Sequence, residues 1–388
     1  MKLITDTQGL AEACQRLARA RYVTVDTEFM REVTFWPVLC LIQLAGDDCE
    51  FIVDPLAGEI DLTPFFDLMA DEGVTKVFHA ARQDIEIIHH LGGIIPRPVF
   101  DTQIAAMVCG FGDSIGYSNL VSKITRVEID KTSQYTDWKE RPLSERQLTY
   151  ALGDVTHLRA VYEHLAGELE RTGRSHWLNE EMATLTEPET YESHPENAWK
   201  RLKGRVRSAR AKAILIEVAA WREKAAQSRD LPRNRILKDN AIYDIANQAP
   251  SDSGQLARLR TVSEGFAKSR RGAEILEVVA RGRARDLTGL GAPRKRATLD
   301  PEAIAVVELL RVHLKATAAR SGVAPKLLAT TDDLERIALS DQADVPALRG
   351  WRRELFGASA LALKHGELAL AVRGGTVALI EVGPKAPQ

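Results

Sequence analysis

Hydrophobic positions in the first third of the chain fall in short, dense runs. YVTVDTE (22–28), LCLIQLAG (39–46), EFIVD (50–54) and TKVFHA (75–80) are rich in Val, Ile, Leu and Phe, the mark of buried strands. Helical spacing follows at 81–91, 102–109, 117–124 and 144–165. The last of these has a legible start: Ser144 follows Pro142, and Gln147 stands three residues further on, as in a capping box. Strands first and helices interleaved afterwards predict a mixed α/β sheet over residues 1–178.

Beyond that point the pattern changes. Residues 179–197, NEEMATLTEPETYESHPEN, are acidic and weakly periodic and read as a linker. The strand signal then nearly vanishes, and 206–286 and 299–372 read as helical, divided by the Gly-, Pro- and Arg-rich RARDLTGLGAPRKRA. The two stretches resemble each other at a spacing of 92, pairing Ile214 with Val306, Val218 with Leu310, Leu231 with Val323, Ile236 with Leu328, Ile242 with Leu334 and Ile245 with Ile337. Two copies of one small all-α domain, 198–288 and 299–375, followed by a tail over 376–388, are the simplest account.

Composition sharpens this division. A chain of 388 residues is too long for one ordinary core. Its net charge of −2 hides a segregation: residues 1–199 carry 17 Lys+Arg against 33 Asp+Glu, residues 200–299 carry 24 against 10, and residues 300–388 carry 11 against 11. An acidic module tethered to a basic one suggests a polyanionic partner. The four cysteines, Cys14, Cys40, Cys49 and Cys109, form no C-x-x-C pair and are expected as reduced, mostly buried thiols. No apolar run approaches a membrane span, and the N-terminus lacks a basic region followed by a hydrophobic stretch, so a cytoplasmic protein is expected.

Candidate chemistry lies in the acids. The chain has five D-x-E triplets, but Asp26 and Glu28 alone close a strand of the apparent sheet core, where an unpaired charge is costly. Alternation sends both to one face, about 6.5 to 7 Å apart in rise. FHAARQDIEII (78–88) opens a helix with Asp84 near its first turns, and YALGDVTHL (150–158) puts Tyr150 and Asp154 four apart on one helical face. Convergence of the four acids, at about 5 Å and an effective dielectric near 20, costs about 3 kcal/mol per ionised pair. Two divalent cations neutralise them, and an all-oxygen site selects Mg2+ or Mn2+ over zinc. Paired ions of this kind cleave phosphodiesters. Tyr150, with an ordinary phenol pKa near 10, fits as the residue that orients the attacking water rather than its proton acceptor.

The segments VDTEFMREVTFWPVLCLIQLA, FHAARQDIEII, FDTQIAA (100–106), DKTSQYTDWKERPL (130–143) and YALGDVTHL resemble the motifs of the DEDD superfamily of exonucleases in its tyrosine branch, and nearly the whole chain resembles the ribonuclease D family. The resemblance implies an RNase H-like (DnaQ-type) catalytic fold, and the helical repeats are similar to HRDC domains. It implies that Asp26 bridges two metals, that Glu28 and Asp154 hold the one carrying the nucleophile, and that Asp84 attends the second. The implied reaction is hydrolysis of RNA from its 3' end with release of nucleoside 5'-monophosphates, and tRNA precursors are the implied substrates.

Around these acids several readings stay open. Phe29 and Met30 either wedge against the terminal base or simply pack. Trp138, Lys139 and Arg141 precede the catalytic helix; the last two are placed to meet phosphate, whereas Trp138 is expected to anchor its loop. Asp101 is expected as an N-cap, and His79, His89, His90 and His157 as core or surface residues. Seven of the thirteen residues from Lys200 to Lys212 are basic, namely Lys200, Arg201, Lys203, Arg205, Arg207, Arg210 and Lys212. With Arg270, Arg271, Arg281, Arg283, Arg294, Lys295 and Arg296 they make the first repeat the expected RNA grip, against a solvated charged face. The neutral second repeat is expected to be a packing or spacing module, and no obligate protein partner is implied. A DNA exonuclease of the same superfamily, or a scaffold with a silent nuclease centre, is the alternative function.

Overall fold

The computed structural model describes residues 2–130, 132–134, 136–290 and 299–383. It divides into two compact units, one formed by residues 1–28, 40–187 and 298–388, the other by 29–39 and 188–297.

The first unit holds a six-stranded mixed sheet, ordered β1-β4-β3-β2-β5-β6. Its strands are β1 (Lys2–Ile4), β2 (Tyr22–Met30), β3 (Val38–Ala45), β4 (Glu50–Val53), β5 (Thr75–Phe78) and β6 (Val99–Asp101). β1 runs parallel to β4, β5 runs parallel to both β2 and β6, and β3 pairs antiparallel with β4. VLCLIQLA forms β3 because a strand covered on both faces accepts a continuous apolar run; seven of its eight residues are buried. Around the sheet lie α1 (Thr7–Leu17), α2 (Thr63–Ala70), α3 (Arg82–Gly92), α4 (Thr102–Val108), α5 (Tyr117–Thr125), α6 (Glu145–Thr172) and α7 (Ser175–Leu185). The four central strands and α3–α6 match expectation. The capping box on Ser144 and Gln147 is formed, and α6 runs on for seven residues beyond the expected end until Gly173 stops it in the left-handed conformation. β1, α1, α2 and β6 were not read from the sequence.

Two expectations are corrected. The acidic stretch taken for a linker begins inside α7, because Leu178 and Met182 are buried and Glu181 has a partner. The C-terminal region is not all helical: LALAVRGGTVALIE folds into an antiparallel hairpin, β7 (Leu368–Arg373) and β8 (Thr376–Glu381), so β8 occupies the supposed tail. Gly374 and Gly375, both at positive φ, make the two-residue turn that right-twisted strands favour.

The second unit is built on α8 (Ala209–Arg229), α9 (Arg233–Ile236), α10 (Asp239–Gln248), α11 (Ser253–Ala257), α12 (Glu264–Ala267) and α13 (Arg270–Ala284). Ile214, Val218, Ile242, Ile245, Ile275 and Val279 form its core. Segment 29–39 belongs to it: the Asp230 carboxylate accepts from the backbone N–H of Phe35 at 3.0 Å and Trp36 at 2.9 Å, and the Arg233 guanidinium lies 4.4 Å over the Phe35 ring.

The repeat at 92 reappears in the backbone. α14 (Pro301–Ser321), α15 (Pro325–Leu328) and α16 (Thr331–Leu339) start 92 residues after α8, α9 and α10. The left-handed caps Asp230 and Gly322 keep the same offset. Beyond α16 come α17 (Gly350–Arg352), a π turn and α18 (Ala358–Lys364), which lead into the hairpin. Rather than standing apart, this C-terminal region packs within the first unit. Trp351 stacks on Trp177 with ring centres 4.7 Å apart, Arg352 pairs with Glu181, and Arg174 donates to the Ser321 carbonyl at 2.5 Å. Gly110 is required there: a Cβ on it would lie 2.6 Å from the Gly322 carbonyl oxygen.

Candidate active site

β2 presents Tyr22, Thr24, Asp26 and Glu28 to one face by alternation, and α6 lies along that face. The Tyr22 hydroxyl donates to Glu163 at 3.0 Å, and Thr24 Oγ1 donates to the carbonyls of Val155 at 2.9 Å and Ala45 at 3.2 Å. One residue before Val155 on α6, Asp154 meets the two acids. Carboxylate oxygens of Asp26, Glu28 and Asp154 lie within 4.8 Å of one another, and all three side chains are half-buried. Among the described residues this is the group of His, Cys, Asp and Glu side chains close enough to share an ion.

Asp84 arrives differently. Thr27 points to the opposite face of β2, and its hydroxyl donates to the buried Asp84 Oδ1 at 2.5 Å. Asp84 is therefore outside the tightest trio but close enough to repel Asp26 and Glu28. Its helix begins after Ala80, which sits in the left-handed region at φ 61°. That costly backbone is held by Asp101, whose carboxylate accepts from the N–H groups of Ala80 and Ala81 at 3.1 and 2.8 Å. The same carboxylate caps α4, as expected, through Gln103 and Ile104.

The electrostatics follow from burial and crowding. Burial, then Asp154, pushes the Asp26 carboxyl well above the carboxylate range, and burial, then Asp26, does the same to Asp84. Glu28 is pushed up to about 10 by burial and by Asp26, Asp154 and Asp84. Asp154 rises to about 7 through burial, restrained by a hydrogen bond from Tyr150. Tyr150 itself is raised by burial and the neighbouring acids, so it keeps its proton at neutral pH.

Side chains that sequence reasoning missed complete the pocket. Thr27 is one; as a β-branched residue between two acids it looks like ordinary strand filling. Tyr117 is another: its hydroxyl donates to the Gly153 carbonyl at 2.8 Å beside Asp154, and nothing in its helical context announced it. Trp138 is buried with its ring 6.1 Å from that of Tyr150, the packing anchor expected. Arg141 does not reach for phosphate. It forms a two-pronged pair with buried Asp54 and donates to the carbonyls of Cys40 and Trp138, which spends its donors inside the protein. Lys139 is exposed. His79 bonds Thr102, and no histidine enters the acid cluster. All four cysteines are free, three of them buried.

Phe29 and Met30 are half-buried at the end of β2. In the basic segment, Lys200, Lys203, Arg205 and Arg207 are exposed. The other three have internal partners. Arg201 joins Arg233 on the fully buried Glu223 carboxylate; burial pushes that group up, and the two guanidiniums more than reverse it. Arg210 donates to the Arg285 carbonyl at 2.7 Å, and Lys212 to that of Leu290 at 2.6 Å. Arg270 and Arg281 pair with Glu274 and Glu217. Arg294, Lys295 and Arg296 lie outside the described residues. Among the described residues no helix is long and apolar enough to cross a membrane.

Known proteins resemble this chain in sequence and fold. Residues 1–170 match the 3'-5' exonuclease family and residues 211–279 the HRDC domain family. The chain is 56% identical over 384 residues to ribonuclease D of Nitrobacter hamburgensis, covering 98% of this chain and 100% of that one. It is 50% identical to ribonuclease D of Granulibacter bethesdensis, covering 98% and 97%. Its fold is similar to the crystal structure of Escherichia coli RNase D, described as an exoribonuclease involved in structured RNA processing, with a TM-score of 0.81, 28% identity, and 94% and 98% of the two chains covered.

Proposed function

The chain belongs to the ribonuclease D family of 3'-5' exoribonucleases, and from that premise we propose that Asp26, Glu28, Asp84 and Asp154 hold two divalent cations, Mg2+ or Mn2+, where the 3' end of an RNA is hydrolysed. One observation carries the reading: three carboxylates within 4.8 Å of one another, with a fourth in electrostatic reach, all raised by burial. Such a set is tolerable in its ionised form only against added positive charge, and its all-oxygen donors fit a hard cation. Cations held there supply the Lewis acidity that favours deprotonation of water and stabilises a departing 3' oxygen.

The residues divide the work. Asp26 would contribute to holding both ions, Glu28 and Asp154 to holding one, and Asp84 to holding the other. Tyr150, fixed by its bond to Asp154 and keeping its own proton, orients the attacking water. Phe29 and Met30 support the last base. Lys200, Lys203, Arg205 and Arg207 grip the RNA backbone, with cytoplasmic tRNA precursors as the substrates. Residues 299–375 are a second HRDC-type copy serving as a brace, which accords with their neutral charge and their packing against α7.

The deciding assay follows mononucleotide release from a 3'-labelled RNA and a matched DNA, with and without EDTA. Release should be chelator-sensitive and favour RNA. Asp26→Asn or Asp154→Asn should abolish it while RNA binding persists; turnover within about tenfold of wild type rejects the metal assignment.

A further inference from the structure

Among the described residues the C-terminal hairpin is a two-stranded sheet, and no further strand pairs with either outer edge. Natural edge strands are usually guarded by a central Lys, a Pro or a bulge, and LALAVR has none. Val372 is 75% exposed. A hairpin of this size is marginal alone; packing on a helix, as β7 meets α18 and β8 meets α14, or further strands sharing an apolar face add to its stability.

We propose that β7 is the edge through which two copies of this chain pair, antiparallel about a two-fold axis at Leu370, forming one four-stranded sheet. The hydrogen-bond pattern permits it. The two-residue turn makes Arg373 and Thr376 a bonded pair, so residues 369, 371 and 373 spend their amides on β8; at the start of the strand the Val382 N–H donates to the Glu367 carbonyl at 3.0 Å, and the Glu367 N–H donates back to the Ala362 carbonyl at 3.0 Å. The amides of Leu368, Leu370 and Val372 point outward. A two-fold at Leu370 sets Leu370 opposite its own copy and Leu368 opposite Val372, all three as bonded pairs. It also sets Glu367 opposite Arg373 twice, on one face, at non-bonded positions where side chains approach most closely. Both residues are exposed, and among the described residues neither has an ion-pair partner within its own chain. β8 offers no such match, since the equivalent axis at Leu379 places Glu381 against Val377. The complementarity selects a second copy as the occupant and β7 as the edge.

Sedimentation velocity of the full chain over about 1 to 100 μM reads the outcome. A concentration-dependent species of twice 42.9 kDa is expected. Arg373→Glu and Val372→Lys should each give monomer throughout, and the double swap Glu367→Arg with Arg373→Glu should restore the dimer. Circular dichroism melts and exonuclease rates, which do not depend on this edge, verify that each variant is folded. A monomeric wild type across the range overturns the proposal, as does a dimer that Arg373→Glu leaves intact.

Discussion

Replacing Thr27 by Val removes one hydroxyl and keeps the shape of the side chain. That hydroxyl donates at 2.5 Å to Asp84 Oδ1, and both residues are only 6% exposed, so water has little room to substitute. A hydrogen bond to an ionised group contributes about 1.5 to 3 kcal/mol, against about 1 kcal/mol for a neutral one. Because protonated Asp84 keeps a neutral version of the bond, the charged form loses the difference, about 0.5 to 2 kcal/mol. At 1.36 kcal/mol per tenfold, ionising Asp84 becomes roughly 2- to 30-fold harder. Metal binding requires the ionised form, so the Mg2+ concentration for half-maximal exonuclease rate should rise by the same roughly 2- to 30-fold, while the rate at saturating Mg2+ recovers. The sign on the pH axis follows. A carboxyl already raised above its ordinary value is raised further, so the acid limb of the rate profile moves to higher pH. Thr27→Ser, which keeps the donor, should restore both. The assay is initial mononucleotide release across a Mg2+ titration at several pH values. A half-saturating Mg2+ concentration within about 1.5-fold of wild type, with an unmoved acid limb, refutes the role of Thr27.

Other consequences can be checked independently. Asp154 and Glu28 have folded pKa values raised to about 7 and about 10, so their contribution to stability is full below about pH 4 and is lost as pH rises through those values. Mn2+ binds the ionised forms, and its gain in melting temperature should be larger at pH 8 than at pH 6 by about 2 to 4 °C, the shift for about 1 kcal/mol in a domain of roughly 200 residues; equal gains contradict this. Arg352→Ala leaves the largely buried Glu181 without its cation and should cost about 2 to 4 kcal/mol, read by denaturant melts, with Glu181→Gln in the same background recovering part. Lys203, Arg205 and Arg207 changed together to Glu should weaken RNA binding and flatten its salt dependence by about two units of log–log slope, whereas an unchanged slope removes this segment from the interface.

The boundary between what was legible in the chain and what was not runs between local and distant physics. Dense apolar strand runs, the Ser144 capping box, the same-face placement of Asp26 and Glu28, and the 92-residue offset between α8–α10 and α14–α16 are written in short stretches of sequence, and each appears in the structure as read. The Gly-Gly hairpin was equally local and was overlooked because the surrounding text is helical. Folding in three dimensions decided the rest. It turned an apparent linker into α7 by giving Leu178 and Met182 a surface to cover, diverted Arg141 from phosphate to Asp54, and set Asp84 behind Thr27 outside the closest trio. It also raised the acids, because desolvation and like-charge repulsion depend on which side chains meet, and residues 26, 84 and 154 meet only when the sheet closes against α3 and α6.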